Sequence, residues 1–390
     1  MATLVFISHD ASLSGAPYTQ LYLMKWLRAH TQHRIQLVLL RSGPLLEEFE
    51  KLATVFIVHK YGSHPSLGQR LLRKTEALTN IGLRTIYRSL AEARPSLIFA
   101  NAAPALGFAV QVKQVRGIPL LLNMHELAST FFYTDAAQFA RDSVAIDLLI
   151  PGSQAVKAFC QTFCSVPNDK IRVVYDFTGD TTSGNTTASA IRSELGIPPG
   201  AKVVGGIGAF NWRKAPDLFV QAAHHCQAAS QQEVYFVWVG GDLTSMAFQE
   251  IAYDLQRLGL AEKALFVGAK SDLRGYYELF DLFLLTSRED PFPLVCLEAA
   301  LQGSPTICFA QAGGMPEFVR DDAGFVVPYA DTQTMGEQAA HLLNHEETRQ
   351  HMGATAQARV ENNHTTRVVG PQMYEAMQPF LPAYTEPLQL

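Results

Sequence analysis

Cysteine is scarce in this chain. Five residues, Cys160, Cys164, Cys226, Cys296 and Cys308, occur among 390, an odd number with no Cys-x-x-Cys pair, which argues against a disulfide scaffold and favours a reducing compartment. Cys160 and Cys164 stand one helical turn apart in AVKAFCQTFC without a histidine pair nearby, and read as buried thiols rather than metal ligands. Charge is sparse too: 17% of residues are charged, and 31 Lys plus Arg against 36 Asp plus Glu give a net charge of −5. Such a chain is a poor bulk binder of nucleic acid, although a local basic patch leaves room for peripheral contact with an anionic membrane face. No apolar run approaches the roughly 20 residues of a membrane span. No signal peptide precedes the strand-like MATLVFISHD, so a cytoplasmic location is expected. Asp-x-Asp, a common metal-chelating pair, is missing altogether. With 48% hydrophobic residues the composition also excludes wholesale disorder, and the length fits two domains.

What is present is a regular alternation of short β-rich runs with longer helical patterns. TLVFI, IQLVLL, TVFIV, SLIFA, PLLLNM, DLLIP and IRVVY are the strand candidates of the first half. Several are apolar at every position, as parallel strands covered on both faces require. After Tyr175 the pattern breaks into DFTGDTTSGNTTAS, which reads as a linker. A second series follows: KVVGGI, VYFVWV, ALFV, DLFLLT, PTICF and FVVPY. The expected fold class is therefore α/β, with two Rossmann-like doubly wound domains facing a cleft. The expected boundaries are 1–180 for the first domain, 181–200 for the linker and 201–369 for the second domain. Ligands in such folds sit at the carboxyl ends of strands, so the chemistry is sought in the loops there.

The stretch DLFLLTSREDPFPLVCLEAALQGSPTICF, residues 281–309, reads strand, loop, helix, strand. Pro293 suits a first helical turn and Gly303 a helix exit, which predicts a helix over 293–302. Glu298 then projects beside Leu294, bordering the core. It either pairs with a base or backbone amide, or accepts hydrogen bonds from the hydroxyls of a sugar or ribose, which satisfy a carboxylate without an opposing charge. Asp290, eight positions earlier, lies in the loop leading in; an ordinary turn acid is the plain alternative.

In KVVGGIGAFNWRKAPDLFVQAA, residues 202–223, a glycine-containing loop joins a strand to a helix that Pro216 opens. Cations at a helix N-terminus are electrostatically misplaced for the helix itself and make sense beside an anion. Arg213 and Lys214 with backbone amides would form a phosphate site; two solvated basic residues are the alternative. The dinucleotide-oxidoreductase reading of GGIGAFN fails, because Asn211 stands where the third glycine belongs.

SREDPFPLVCLEA resembles the acid-x7-acid motif of GT-B retaining glycosyltransferases of family 4 (glycosyl transferases group 1), and GSPTICFAQAGGMPEFV extends the match with Gly303, Pro305, Gly313, Gly314 and Glu317 in register. The resemblance implies a sugar transferred from a nucleotide-diphosphate donor to an acceptor hydroxyl, without cofactor or metal, the acceptor being a carbohydrate, a lipid-linked molecule or a small molecule. It implies that Glu298 binds the donor ribose, that Asp290 lies near the transferred sugar, and that Lys214, with Arg213 as nearest substitute for the family arginine, holds the diphosphate. Two departures stand out: the first acid, usually Glu, is Asp290, and the usual arginine position is Ala209. The resemblance also sets the loop with Gly15, ahead of a helix opening at Pro17, beside the donor diphosphate. It places His125, at the end of PLLLNM, near the reacting sugar, and Gly268 with Pro291, Phe292, Pro293 and Leu294 around the donor nucleotide and sugar. It sends the chain end, about 370–390, back to the first domain. A nucleotide-sugar epimerase on the same fold, or a binding protein that has lost activity, are the competing readings.

Overall fold

The computed structural model describes residues 1–59, 86–132, 134–182 and 184–382. The chain divides into two compact units, Met1–Asp176 with the chain from Thr366 on, and Phe177–Thr365.

The first unit is built on β1 (Thr3–Ser8), β2 (Arg34–Arg41), β3 (Thr54–His59), β4 (Leu97–Asn101), β5 (Leu120–Met124) and β6 (Leu148–Pro151). All pairings are parallel and the order is β3-β2-β1-β4-β5-β6. Every residue of β4, β5 and β6 is buried, which is why these strands read as unbroken apolar runs rather than as alternation. The helix Thr366–Met377 packs on Gly15–His30. Gly370 permits the approach, since a Cβ there would stand 2.5 Å from the Trp26 ring. His33 and the Tyr374 hydroxyl meet at 2.9 Å.

The second unit repeats the winding with β7 (Lys202–Ile207), β8 (Val234–Val239), β9 (Ala264–Phe266), β10 (Leu282–Leu285), β11 (Thr306–Phe309) and β12 (Gly324–Val327). Its order is β12-β11-β10-β7-β8-β9, again parallel throughout. Both sheets thus have the doubly wound order whose direction reverses beside the first strand, between β1 and β4 and between β7 and β10. In this architecture the reversal opens a crevice at the carboxyl ends of the two central strands.

Four local expectations change. IRVVY is not a strand: Arg172, Val174 and Asp176 donate backbone N–H groups to Leu149, Pro151 and Gly152, but the segment forms only one bridge, Leu149↔Ile171. The first helix begins at Gly15, two residues ahead of Pro17. The helix expected over 293–302 is Leu294–Leu301, with Pro293 as its N-cap in extended conformation. Residues 181–200 lie within the second unit and carry the helix Ala188–Glu194. That helix sits so close to Arg274–Leu279 that a Cβ on Gly275 would stand 2.9 Å from the Thr187 carbonyl oxygen.

Candidate active site

The loop after β7 is shaped by its own side chains. Asn211 accepts the backbone N–H of Lys214 through Oδ1 at 2.9 Å, while Ala215 donates to the Asn211 carbonyl at 3.0 Å. Ala215 then enters the helix Pro216–Ala229 in the left-handed region, at φ 53° and fully buried, a strained conformation for a residue with a Cβ. Two contacts from the loop after β10 hold it there: Thr286 Oγ1 donates to the Ala215 carbonyl at 3.1 Å, and the Arg288 backbone N–H to that of Arg213 at 2.8 Å. The Arg288 guanidinium also grips both oxygens of Asp217, at 3.1 and 2.6 Å, and the Trp212 carbonyl at 3.0 Å. Asp217 supplies the first turn of that helix with the negative charge it favours.

Pinned in this way, Arg213 and Lys214 converge on Asp290. Arg213 Nη1 lies 3.1 Å from Oδ1 and Lys214 Nζ 2.5 Å from Oδ2, and the Ser287 hydroxyl donates to Oδ2 at 3.0 Å. The Lys214 stem crosses Gly208, where a Cβ would meet it at 3.0 Å. Asp290 is itself fixed by backbone: its N–H donates to the Ala312 carbonyl at 2.6 Å, and its own carbonyl accepts from Gly314 at 3.3 Å. Gly313 has φ 133°, and a Cβ there would lie 1.8 Å from the Asp290 carbonyl oxygen. The glycine pair downstream of the acid motif therefore has a steric cause. Burial pushes the Asp290 carboxyl up, but Lys214 and Arg213 outweigh it and hold its pKa below the usual carboxylate value.

Glu298 has a different setting. Its Oε2 accepts the Tyr277 hydroxyl at 2.5 Å and its Oε1 the Thr178 hydroxyl at 3.3 Å. Among the described residues no cation pairs with it, and burial raises its pKa against the pull of those two hydroxyls.

In the first unit, His125 follows β5. Its Nδ1 lies 2.8 Å from Asp176 Oδ1, and its Nε2 3.0 Å from Asn101 Oδ1. The Asn101 amide nitrogen is committed to the Ala16 carbonyl at 2.9 Å, so its oxygen faces the ring. Nδ1 meets a carboxylate, which favours a charge on the ring, while Nε2 lies between the Asn101 oxygen and the Asn123 amide nitrogen, the latter 2.8 Å away. Burial opposes that charge, yet Asp176, joined by Glu126, raises the His125 pKa. Glu126 accepts the backbone N–H groups of Ala103 and His125 at 3.0 and 3.1 Å. Between β4 and the donor Ala103, Ala102 takes φ 83° and ψ 151°, a region otherwise left to glycine.

Measured against the sequence reading, the structure brings Arg213, Lys214 and Asp290 together. It engages the Asp290 carboxylate, expected at the transferred sugar, with the two cations. His125, expected beside the reacting sugar, has both ring nitrogens in hydrogen bonds within its own unit. Gly15 opens a helix of the first unit, and its carbonyl accepts the Thr19 hydroxyl at 3.0 Å. Gly268, at φ 69°, accepts the Gly240 N–H through its carbonyl at 2.7 Å. Phe292 and Leu294 are core residues, 3% and 7% exposed, while the Pro291 carbonyl accepts the Gly314 N–H at 3.0 Å. Sequence reasoning missed Asp176, Asn101, Ser287 and Tyr277. Their partners lie 51, 24, 3 and 21 positions away, and only Ser287 was close enough to the motif to be suspected.

Two doubly wound parallel sheets, the second with two cations and a buried acid at its point of reversal, define a two-domain α/β fold. The family model described as glycosyl transferases group 1 matches residues 188–359. N-acetyl-alpha-D-glucosaminyl L-malate synthase of Bacillus anthracis is 29% identical over 195 residues, 50% of this chain and 50% of that protein. D-inositol 3-phosphate glycosyltransferase of Corynebacterium diphtheriae is 30% identical over 180 residues, 45% and 42% respectively. The chain thus spans about half the length of the curated relatives it matches. Among solved structures, Anabaena Alr3699/HepE in complex with UDP and glucose superposes with a TM-score of 0.80 at 22% identity, covering 97% of this chain and 100% of that one. Sucrose-phosphate synthase from Thermosynechococcus elongatus gives 0.76 at 18%, covering 97% and 99%. These likenesses show the fold, GT-B. No helix among the described residues is long and apolar enough to cross a membrane.

Proposed function

We propose that the chain is a retaining, metal-independent glycosyltransferase that moves a sugar from a nucleotide-diphosphate donor to an acceptor hydroxyl. The observation that carries this reading is the convergence of Arg213 and Lys214 at the reversal point of the second sheet. Two cations against one carboxylate leave one surplus positive charge, suited to a diphosphate leaving group. In the reaction the bond from the anomeric carbon to the diphosphate oxygen breaks and a bond to the acceptor oxygen forms. The acceptor proton passes to the departing phosphate, on the same face of the sugar. Charge grows on the diphosphate as the bond breaks, and cations already held in place stabilise it without reorganising. Asp290 orients both cations, and Glu298 takes the donor ribose.

UDP and glucose in Alr3699/HepE support a nucleotide sugar as donor, and uridine is the first base to test. Among the described residues no cluster of acids, histidines or cysteines could hold a metal. The test is calorimetric titration of free UDP, GDP and ADP into wild type and Lys214→Ala. The variant should bind its preferred diphosphate at least tenfold more weakly; equal affinity removes Lys214 from the site and the reading with it.

A further inference from the structure

Tyr277 lies in the helix Arg274–Leu279 and is 1% exposed. A buried phenol must place its O–H on an acceptor, and this one donates to Glu298 Oε2 at 2.5 Å. The other oxygen, Oε1, receives only the long contact from Thr178 at 3.3 Å, near the limit of a useful hydrogen bond. An ionised carboxylate has about four acceptor positions, so two donors leave it under-filled, and no cation among the described residues makes up the difference. The two oxygens are therefore unequal: one is fixed by a short bond from a rigid, packed side chain, and the other has acceptor capacity to spare.

We propose that Tyr277 is a positioning residue that turns Glu298 so that Oε1 meets the vicinal hydroxyls of the donor ribose, and that it thereby sets the preference for ribonucleotides over their deoxy forms. The inference rests on the ribose reading of Glu298 given above. The tyrosine ring packs edge-on to Phe280, with centroids 6.4 Å apart, and Tyr277→Phe keeps that ring. The change removes only the O–H, after which the carboxylate can rotate about its terminal torsion and share both oxygens between Thr178 and the ligand.

The experiment is calorimetry on the full chain with UDP, GDP and ADP and their 2′,3′-dideoxy analogues, comparing wild type, Tyr277→Phe, Thr178→Val and Glu298→Gln. Wild type should prefer the ribo form of its cognate base by about tenfold or more, the worth of one good hydrogen bond to a charged group. Tyr277→Phe should erase most of that preference while leaving dideoxy affinity near wild type. Thr178→Val, which removes the hydroxyl of the 3.3 Å contact, should retain it. A preference kept by Tyr277→Phe but lost in Glu298→Gln overturns the role of Tyr277 and leaves the ribose reading standing. Loss of the preference in Thr178→Val, with Tyr277 intact, also overturns it, and remains decisive if the phenylalanine variant does not fold. Absence of any preference in wild type, or of binding by all three nucleotides, overturns the ribose reading itself.

Discussion

Lys214→Met tests the electrostatic centre of the second unit. The substitution removes the ammonium 2.5 Å from Asp290 but keeps an unbranched stem to lie across Gly208. Depriving a buried carboxylate of its partner costs about 3–5 kcal/mol where nothing compensates. Here the Asp290 side chain is 6% exposed, and it retains Ser287 at 3.0 Å and Arg213 at 3.1 Å. Arg213, however, is 36% exposed, and water screens its contribution. A loss of about 2 kcal/mol results, below the uncompensated range. For a unit the size of Phe177–Thr365 that lowers Tm by about 4–8 °C. Scanning calorimetry of Lys214→Met, Asp290→Asn and the double variant measures the coupling. Once the carboxylate is gone the lysine has nothing left to neutralise, so the double variant should be more stable than the summed singles predict, by about 1–2 kcal/mol. A wild-type Tm for Lys214→Met, or additivity within about 0.5 kcal/mol, refutes the claim that this carboxylate depends on that ammonium.

The same ion pairs make stability depend on pH. Because the folded pKa of Asp290 lies below its unfolded value, its contribution is complete above about pH 4 and is lost as pH falls through the folded value; Asp290→Asn should flatten that part of the acid melting curve, and an unchanged curve counts against it. Glu298 is shifted the other way, so nucleotide affinity should rise as its carboxyl ionises, with a midpoint above the usual carboxylate range. Glu298→Gln should remove that pH step and cost about 1–3 kcal/mol of donor affinity; calorimetry showing no loss returns the residue to a purely structural role. Gly313→Ala puts a Cβ 1.8 Å from the Asp290 carbonyl oxygen at φ 133°, and destabilisation on the order of 3 kcal/mol or more is expected from the displaced loop, read from thermal melts. Added EDTA should leave turnover intact, and a fall in rate restored by a divalent cation speaks against the metal-free reaction.

The winding of both sheets was legible because parallel strands covered on both faces announce themselves as unbroken apolar runs. Gly303 is equally plain: it leaves the helix Leu294–Leu301 at φ 79°. IRVVY misled because β-branched composition reports a preference for extended backbone, whereas a strand also needs a partner returning hydrogen bonds. Asp176 was hidden for a related reason. It opens DFTGDTTSG, a stretch whose composition signals a loop, and its importance comes from His125, 51 positions away. Gly152 shares that concealment, since a Cβ there would stand 2.5 Å from Asp176 Oδ2, a requirement no local pattern records. Spacing told which residues could lie near the second-unit site. It could not tell which carboxylate the cations would claim.

That last distinction underlies the proposed division of labour between the two acids. Asp290 and Glu298 stand eight residues apart, both withdrawn from water, yet their pKa values move in opposite directions. Desolvation raises both, so the difference lies in their partners. Asp290 faces two fixed cations, which keep it ionised and leave it no proton to give. Among the described residues Glu298 faces neutral hydroxyls alone, which stabilise its charge incompletely, and each further hydroxyl that donates to it lowers that cost. A ligand offering a vicinal diol is therefore worth most at Glu298, while a ligand offering negative charge is worth most beside Arg213 and Lys214. The sugar and diphosphate parts of a nucleotide carry those two features, which is why the proposed function gives the ribose to Glu298 and the diphosphate to Arg213 and Lys214.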